Sequence, residues 1–241
     1  MARRPIEFSV VIPAHNEEGA LEGAVAAVER VLRGVSHEVI IAEDGSRDRT
    51  VEVAGRLCRK FRNVRLLSSP ARLGRGKALC RAFAAARGKL VAYMDADLAT
   101  EPARLLDLLD SLRNGADVVT GSRYVKGAIC ERGVLRHFLS KAYNFLVRAL
   151  LGSGLCDHQC GFKGFRRAVA IRLCALAEDN HWFWDTECLV IAQKNGLAVG
   201  EIPVEWREPE GRKSKVNAFG DARDMLGRIF RLRGRLAKRR A

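Results

Sequence analysis

The sequence lacks a long uncharged hydrophobic run, which argues against a membrane-spanning helix. A span needs about 20 consecutive apolar residues, whereas the most apolar long segment, 133–151, is interrupted by Arg136, His137, Lys141 and Arg148. Aromatic residues make up only 7% of the chain, and few lie among the C-terminal cations. The stacking platforms that single-stranded nucleic acids require are therefore missing. With no recognised nucleic-acid module present, a basic nucleic-acid-binding protein is the weaker, non-enzymatic alternative. Paired CxxC motifs are absent as well. The seven cysteines (Cys58, Cys80, Cys130, Cys156, Cys160, Cys174 and Cys188) are odd in number and scattered. That usage predicts reduced thiols and an intracellular, cytoplasmic setting. Cys156 and Cys160 flank His158, but their spacing matches no usual closed zinc set. At Met1-Ala2-Arg3-Arg4-Pro5 a strand pattern follows at once without a cleavage site, so no secretory signal is expected.

The chain has 241 residues, 48% of them hydrophobic and 29% charged, enough for one large globular domain with a substantial core. Charge is unevenly placed. Of the net +14, the stretch from Arg207 to Ala241 carries +8, twelve Lys/Arg against four Asp/Glu. We divide the chain into a domain over 1–217 and a basic amphipathic tail over 218–241. Such a tail seeks polyanions: an anionic membrane surface, phosphorylated substrates or nucleic acid.

Along the first half, apolar runs at 8–12, 38–42, 64–67 and 90–94 alternate with amphipathic stretches such as Leu21, Val25, Val28 and Leu32, which share one helical face. This βα rhythm predicts a parallel, doubly wound sheet with helices on both faces. In such sheets ligands bind beyond the carboxyl ends of the strands, where strand order reverses. Pro13 to Glu17, Glu43 with Asp44, and Asp95 with Asp97 all fall at such ends, and Arg123 follows a further strand at 118–120. Segment 133–151 reads as an amphipathic helix with Leu135, Phe138, Leu139, Ala142, Phe145, Leu146, Ala149 and Leu150 in one stripe. That stripe fits either a core face or a helix lying on a bilayer surface. A second basic helix is expected from about Phe219 to Arg240.

The stretch "LVAYMDADLAT" (90–100) runs from a buried-strand pattern straight into two aspartates. A helix cap needs one acceptor, not a repelling pair. Hard oxygen ligands suit Mg²⁺ or Mn²⁺, and such an ion bridging a nucleoside diphosphate sugar explains the pair. Asp44 in "EDGSRDRT" can accept from a base N–H, or serve as a turn residue. "RLGRGKAL" (72–79) sets glycines and cations, Lys77 among them, at a helix start suited to an anion, although its spacing is not a P-loop.

With these stretches collected, "SVVIPAHNEE" (9–18), "AEDGSRDRT" (42–50), "RLGRGKAL", "DADLAT" (95–100), "GSR" (121–123), "DHQCGFKGF" (157–165), "WDTECLVIAQ" (184–193) and "VEWREPEGRKSKV" (204–216) stand in the order seen in family 2 glycosyltransferases. The sequence resembles, more narrowly, the polyprenyl-phosphate branch: dolichyl-phosphate glucosyltransferases and mannose synthases. The resemblance covers roughly residues 7–230. It implies a GT-A fold, a Rossmann-like doubly wound mixed sheet, a Mg²⁺ or Mn²⁺ cofactor, and inversion to a β-linked sugar phosphate. It also marks Asp95 and Asp97 as metal and diphosphate residues, Asp44 as a base contact and Arg123 as part of the donor pocket. Mannose synthases of this group commonly carry Gln two positions after the second aspartate, where this chain has Ala99. "DADLAT", "HQCGFK" and "VEWREPEG" look closer to the glucosyltransferases.

The chemistry can also be argued directly. A prenyl phosphate is largely dianionic at neutral pH, its second ionisation lying near 6, so its oxygen can attack the anomeric carbon without a general base. Cations that hold two anionic substrates together are needed instead. The candidate catalytic residues are Asp97, Arg123, Asp185, Arg207 and Lys215, with Arg212 and Lys213 in reserve. Asp185 is expected to orient the sugar or the acceptor's surroundings. The donor-binding candidates are Pro13, His15, Glu17, Asp44, Lys77, Asp95, Ala96 and Gln159, with Gln159 and Lys163 towards the acceptor. The expected partners are a nucleotide sugar, a polyprenyl or dolichyl phosphate and an anionic membrane surface, not nucleic acid. Peripheral attachment at the cytoplasmic face follows. The rival enzymatic reading is a family 2 transferase acting on a saccharide hydroxyl, with Asp185 as the base.

Overall fold

A computed structural model of the chain describes residues 5–208 and 218–238. Strands β1 (Phe8–Ala14), β2 (His37–Glu43), β3 (Val64–Leu67) and β4 (Leu90–Met94) alternate with helices α1 (Leu21–Val31), α2 (Thr50–Lys60) and α3 (Arg75–Ala85). There follow α4 (Arg104–Arg113), β5 (Val118–Ser122), the short β6 (Ile129–Glu131), α5 (Val134–Leu151), β7 (Phe162–Arg166), α6 (Arg167–Leu176) and α7 (Trp184–Lys194). β8 (Val199–Pro203), β9 (Glu205–Arg207) and α8 (Ala218–Lys238) complete the order.

Seven strands form one sheet in the order β3-β2-β1-β4-β7-β5-β8. β7 runs antiparallel to both its neighbours, and the other pairings are parallel. The sheet is therefore mixed and doubly wound. Strand alternation divides the core: Val10, Ile12, Val39 and Ile41 face a layer with α1, α2 and α4, while Val11, Ile40, Val91 and Tyr93 face α3, α5, α6, α7 and α8. The predicted face of α1 is fully enclosed at Leu21, Val25, Val28 and Leu32. α4 covers the far half of the sheet with Leu105, Leu108, Leu109 and Leu112, all buried. Emptying any one of these to alanine costs about 2–5 kcal/mol.

Two helices differ from the sequence-level expectation. In α5 the inward ridge is Ser140, Asn144, Val147 and Leu151, partly polar because it faces buried charge. The predicted stripe splits: Leu146 and Leu150 pack on the core, whereas Leu135, Phe138 and Phe145 are 63%, 68% and 61% exposed, alongside Lys141 and Arg148. α8, expected as a basic tail, buries Ile229 and Leu232 in the second core layer and pairs Arg235 with Glu187 and Arg228 with Asp179. Among the described residues no helix is long and apolar enough to cross a membrane.

Candidate active site

Strand order reverses between β1 and β4: from β1 the chain winds outward through β2 and β3, then returns to pair β4 on the other side. The carboxyl ends of the strands flanking such a point form the rim at which sheets of this kind bind ligands. His15 leaves β1 and Asp95 leaves β4 at this rim. His15 Nδ1 lies 2.8 Å from the Asp44 carbonyl oxygen, tying the β1 end to the β2 end. Asp44 is buried, and its two carboxylate oxygens accept the Leu73 and Gly74 amides at 2.7 and 2.9 Å. Its visible task is to hold the "RLG" loop against the sheet. Gly74 has φ +101°, and a Cβ there would strike the Asn180 carbonyl and His181, so the loop closes only around glycine.

That loop delivers Arg75 to the site. Its guanidinium donates to Asp95 Oδ1 at 2.8 Å and to Asp185 Oδ2 at 2.5 Å, and lies over the rings of Tyr93 and Trp182 at 5.0 and 5.1 Å. Burial works against its charge, but Asp95 and then Asp185 outweigh that and raise its pKa. Lys77, the cation expected here, is exposed on α3 and has no side-chain bond to the rim residues among those described. Arg75 takes the place foreseen for it, because helix geometry turns the residue two positions on away from the rim.

Asp185, at the start of α7, is enclosed. Its carboxylate accepts from the Tyr93 hydroxyl and lies 3.1 Å from Lys163 Nζ, itself fully buried. Burial alone would push the Asp185 carboxyl up, but Lys163 and Arg75, with the Tyr93 hydroxyl, hold it below the ordinary carboxylate range. Tyr93, Phe83, Phe165 and Trp184 pack ring against ring beneath this cluster, centroids 5.6–6.5 Å apart. A carboxylate so enclosed and neutralised orients Arg75 and Lys163. It is badly placed to take a proton from a substrate hydroxyl.

Asp95 and Asp97 are half-buried on the β4–α4 loop, with Ala96 buried between them. Leu98 has φ +57°, a left-handed turn that costs a branched residue about 1–2 kcal/mol and bends the loop back so that the Ala99 amide reaches Asp97 Oδ1 at 3.2 Å. Gly161 approaches so closely that a Cβ there would collide with the Asp95 carboxylate. Among the described residues no three His, Cys, Asp or Glu side chains gather as a metal cage. Two carboxylates alone fit the way Mg²⁺ and Mn²⁺ are held when substrate phosphates and water fill the remaining positions. Burial and then Asp157 push the nearby Cys160 thiol up to about 12.

The remaining candidates divide. Pro13 and Glu17 bound the β1 end, where the Glu17 amide donates to Thr50 Oγ1 at 2.8 Å. Arg123 is only 8% exposed and meets Asp157 side-on, Nε to Oδ2 at 2.6 Å and Nη2 to Oδ1 at 2.8 Å. It is a committed ion pair and not a free cation at the rim. Gln159 lies beside it, its Oε1 accepting from Ser140 Oγ at 3.4 Å. Arg207 is exposed and its guanidinium stands near Glu131 and Glu205 at 3.6 and 3.9 Å, while its amide donates to the Ala99 carbonyl at 2.8 Å. Lys215, with Arg212 and Lys213, lies outside the described residues. Sequence reasoning missed Arg75, Tyr93 and Asp157. The "RLGRGKAL" motif contained the first of these, but only the fold shows which of its cations turns inward.

A mixed sheet carrying paired carboxylates at its switch point defines a sugar-nucleotide transferase architecture of the GT-A type. The chain belongs to glycosyltransferase family 2, whose family model (Glycosyl transferase family 2) matches residues 9–174. Among its relatives, glycosyltransferase AglD of Haloferax volcanii is 46% identical over 231 residues, 94% of this chain and 37% of AglD. Dolichyl-phosphate β-glucosyltransferase of Dictyostelium discoideum is 32% identical, covering 95% of this chain and 75% of that protein. The human dolichyl-phosphate β-glucosyltransferase is 34% identical, covering 86% and 69%. Within that family the chain falls with the dolichyl-phosphate glucosyltransferase branch, and it spans just over a third of AglD. In fold it matches glucosyl-3-phosphoglycerate synthase from Mycobacterium tuberculosis, crystallised with Mn²⁺, UDP and phosphoglyceric acid. The TM-score is 0.74 at 22% identity, over 95% of this chain and 79% of that one.

Proposed function

We propose that this protein transfers glucose from UDP-glucose to a polyprenyl or dolichyl phosphate, with inversion to a β-linked lipid-phosphate sugar. One observation carries the reading: Asp185, the carboxylate a saccharide-directed family 2 transferase would use as its base, is buried and neutralised by Arg75 and Lys163. A site without an available base suits an acceptor that arrives already as an anion. The names of the curated relatives support glucose and dolichyl phosphate, and Ala99 in place of a third metal ligand points away from mannose.

Asp95 and Asp97 would hold Mg²⁺ or Mn²⁺, which supplies charge neutralisation to the departing diphosphate. Arg75, released from Asp95 once the diphosphate is seated, adds a second positive charge there, while Asp185 and Tyr93 keep its guanidinium aimed. Asp44 and His15 fix the walls of the nucleoside pocket, and Asp44 retains lone pairs for a base N–H. A phosphate oxygen of the acceptor then forms the new bond to the anomeric carbon as the bond to the diphosphate breaks.

The acceptor is a lipid, and α5 offers the surface to meet it. Val134, Leu135, Phe138 and Phe145 face outward among Lys141 and Arg148. Apolar side chains interleaved with cations suit an anionic bilayer surface, on the cytoplasmic face in this reading.

The test offers purified protein, Mn²⁺ and polyprenyl phosphate with UDP-glucose or GDP-mannose separately, followed by mass spectrometry of the lipid. Hexosyl lipid phosphate from UDP-glucose alone is the expected result. Transfer to a saccharide hydroxyl with none to the lipid phosphate would overturn it.

A further inference from the structure

The ribbon of β6 and β9 lies against the metal loop: Trp206 bridges to Thr100, and the Arg207 amide donates to Ala99. Two guanidinium groups flank the Trp206 indole, Arg123 at 5.8 Å and Arg132 at 5.0 Å from its centroid. Their situations differ. Arg123 is neutralised by Asp157. Arg132 makes no ion pair among the described residues, and its Nε and Nη1 are buried there without a partner of hydrogen-bonding geometry. The Tyr124 hydroxyl beside it is also buried and without such a partner. Lys141 stands 5.9 Å from the Tyr124 ring, and His137 packs edge-on against the same ring at 5.5 Å. Burial and then the nearby Arg123 lower the Arg132 pKa.

A half-buried guanidinium with two enclosed nitrogens lacking partners is costly unless a ligand completes it. The ligand must be anionic, must present several acceptor oxygens, and must fit beside an indole next to the metal loop. Two residues beyond Arg132 the chain enters the outward apolar ridge of α5, beginning with Val134 and Leu135. An anion whose remaining substituent is apolar satisfies every one of these features.

We infer that Arg132, assisted by the Tyr124 hydroxyl and Lys141, is the residue that selects the acceptor, seating its phosphate monoester while the prenyl chain runs out along Val134, Leu135 and Phe138. This rests on the lipid-phosphate reading above and names the group that would enforce it. Arg123, locked to Asp157, acts as a positioning residue that holds Trp206 under the seat.

The experiment uses the full chain with Arg132→Gln and Arg132→Lys, each first compared with the parent by thermal melting. Isothermal titration measures three probes: UDP with Mn²⁺, citronellyl phosphate as a short soluble prenyl phosphate, and inorganic phosphate. The expected result is citronellyl-phosphate affinity and acceptor KM worsened roughly tenfold or more in Arg132→Gln, with UDP affinity unchanged and partial recovery in Arg132→Lys. Inorganic phosphate should bind the parent more weakly than the prenyl phosphate, which separates a lipid headgroup site from a free-phosphate site. Equal binding of the two would overturn the lipid assignment. Unchanged acceptor affinity in a folded Arg132→Gln, equal loss of UDP binding, or no prenyl-phosphate binding by the parent would overturn the proposal. Prenyl-phosphate binding with no transfer would instead count against the functional reading alone.

Discussion

Replacing Asp185 by Asn separates two tasks that one carboxylate can perform, anchoring buried cations or taking a proton. The substitution keeps the side-chain volume but leaves Arg75 with Asp95 as its one charged partner and Lys163 with no ion-pair partner among the described residues. Breaking a buried pair costs about 3–5 kcal/mol, and the lower end applies because the amide can still accept from Tyr93. For a domain of this size each kcal/mol moves Tm by roughly 2–4 °C, so a fall of roughly 6–12 °C is expected in differential scanning calorimetry. The folded carboxyl titrates below its ordinary value. Its contribution is therefore complete at neutral pH and fades as pH falls through the folded pKa, and the gap between parent and variant should narrow in acid. Transfer to polyprenyl phosphate should decline by about tenfold or less at saturating substrate, because Arg75 is loosened and no proton donor or acceptor is lost. A general base would behave differently: its loss typically lowers kcat by about 10²–10⁴ and removes the acid limb of the pH–rate profile. A variant as stable as the parent, with that larger loss and the missing limb, would refute the reasoning.

Gly161→Ala should push a methyl into the Asp95 carboxylate and weaken Mn²⁺-dependent UDP binding by roughly 10–100-fold, read by titration calorimetry. His158 is buried between Asn144 and Ser153, and burial first holds its imidazole down at about 4. The unfolded chain therefore binds the extra proton between about pH 6.5 and 4, and stability falls across that window by up to about 3 kcal/mol on acidification. His37, raised by its bond to Glu29 despite burial, opposes this; urea titrations of a His37→Gln variant should show the steeper acid loss. Exchanging Leu135 and Phe138 for serine together should leave Tm unchanged and weaken sedimentation with anionic vesicles by roughly tenfold or more, since each buried apolar side chain is worth about 1.5–3 kcal/mol.

The opening βα units were legible because periodicity alone marks them: β3 and β4 have the expected bounds, and the apolar face of α1 is buried as its spacing requires. β7 was not. Its "FKGFR" contains a lysine and a glycine, so nothing in the run announces a central strand, and its antiparallel place between β4 and β5 is a long-range fact. Asp95 and Asp97 stood out because like charges side by side need a reason. Arg75 and Asp157 did not, because a sequence shows which residues are charged and not which charge meets which. The same limit applies to Arg132, which differs from Arg123 only in the carboxylate it lacks.

The insertion of β7 also has a consequence for how this protein comes into being on the ribosome. β4 ends at Met94 and β5 at Ser122, yet the strand that joins them begins only at Phe162. Until that later segment emerges, both strands wait with open edges, the state in which chains pair wrongly with one another. Long-range closure of this kind is slow, so the interval before Arg166 is synthesised is the period in which a nascent chain most needs a chaperone's shelter.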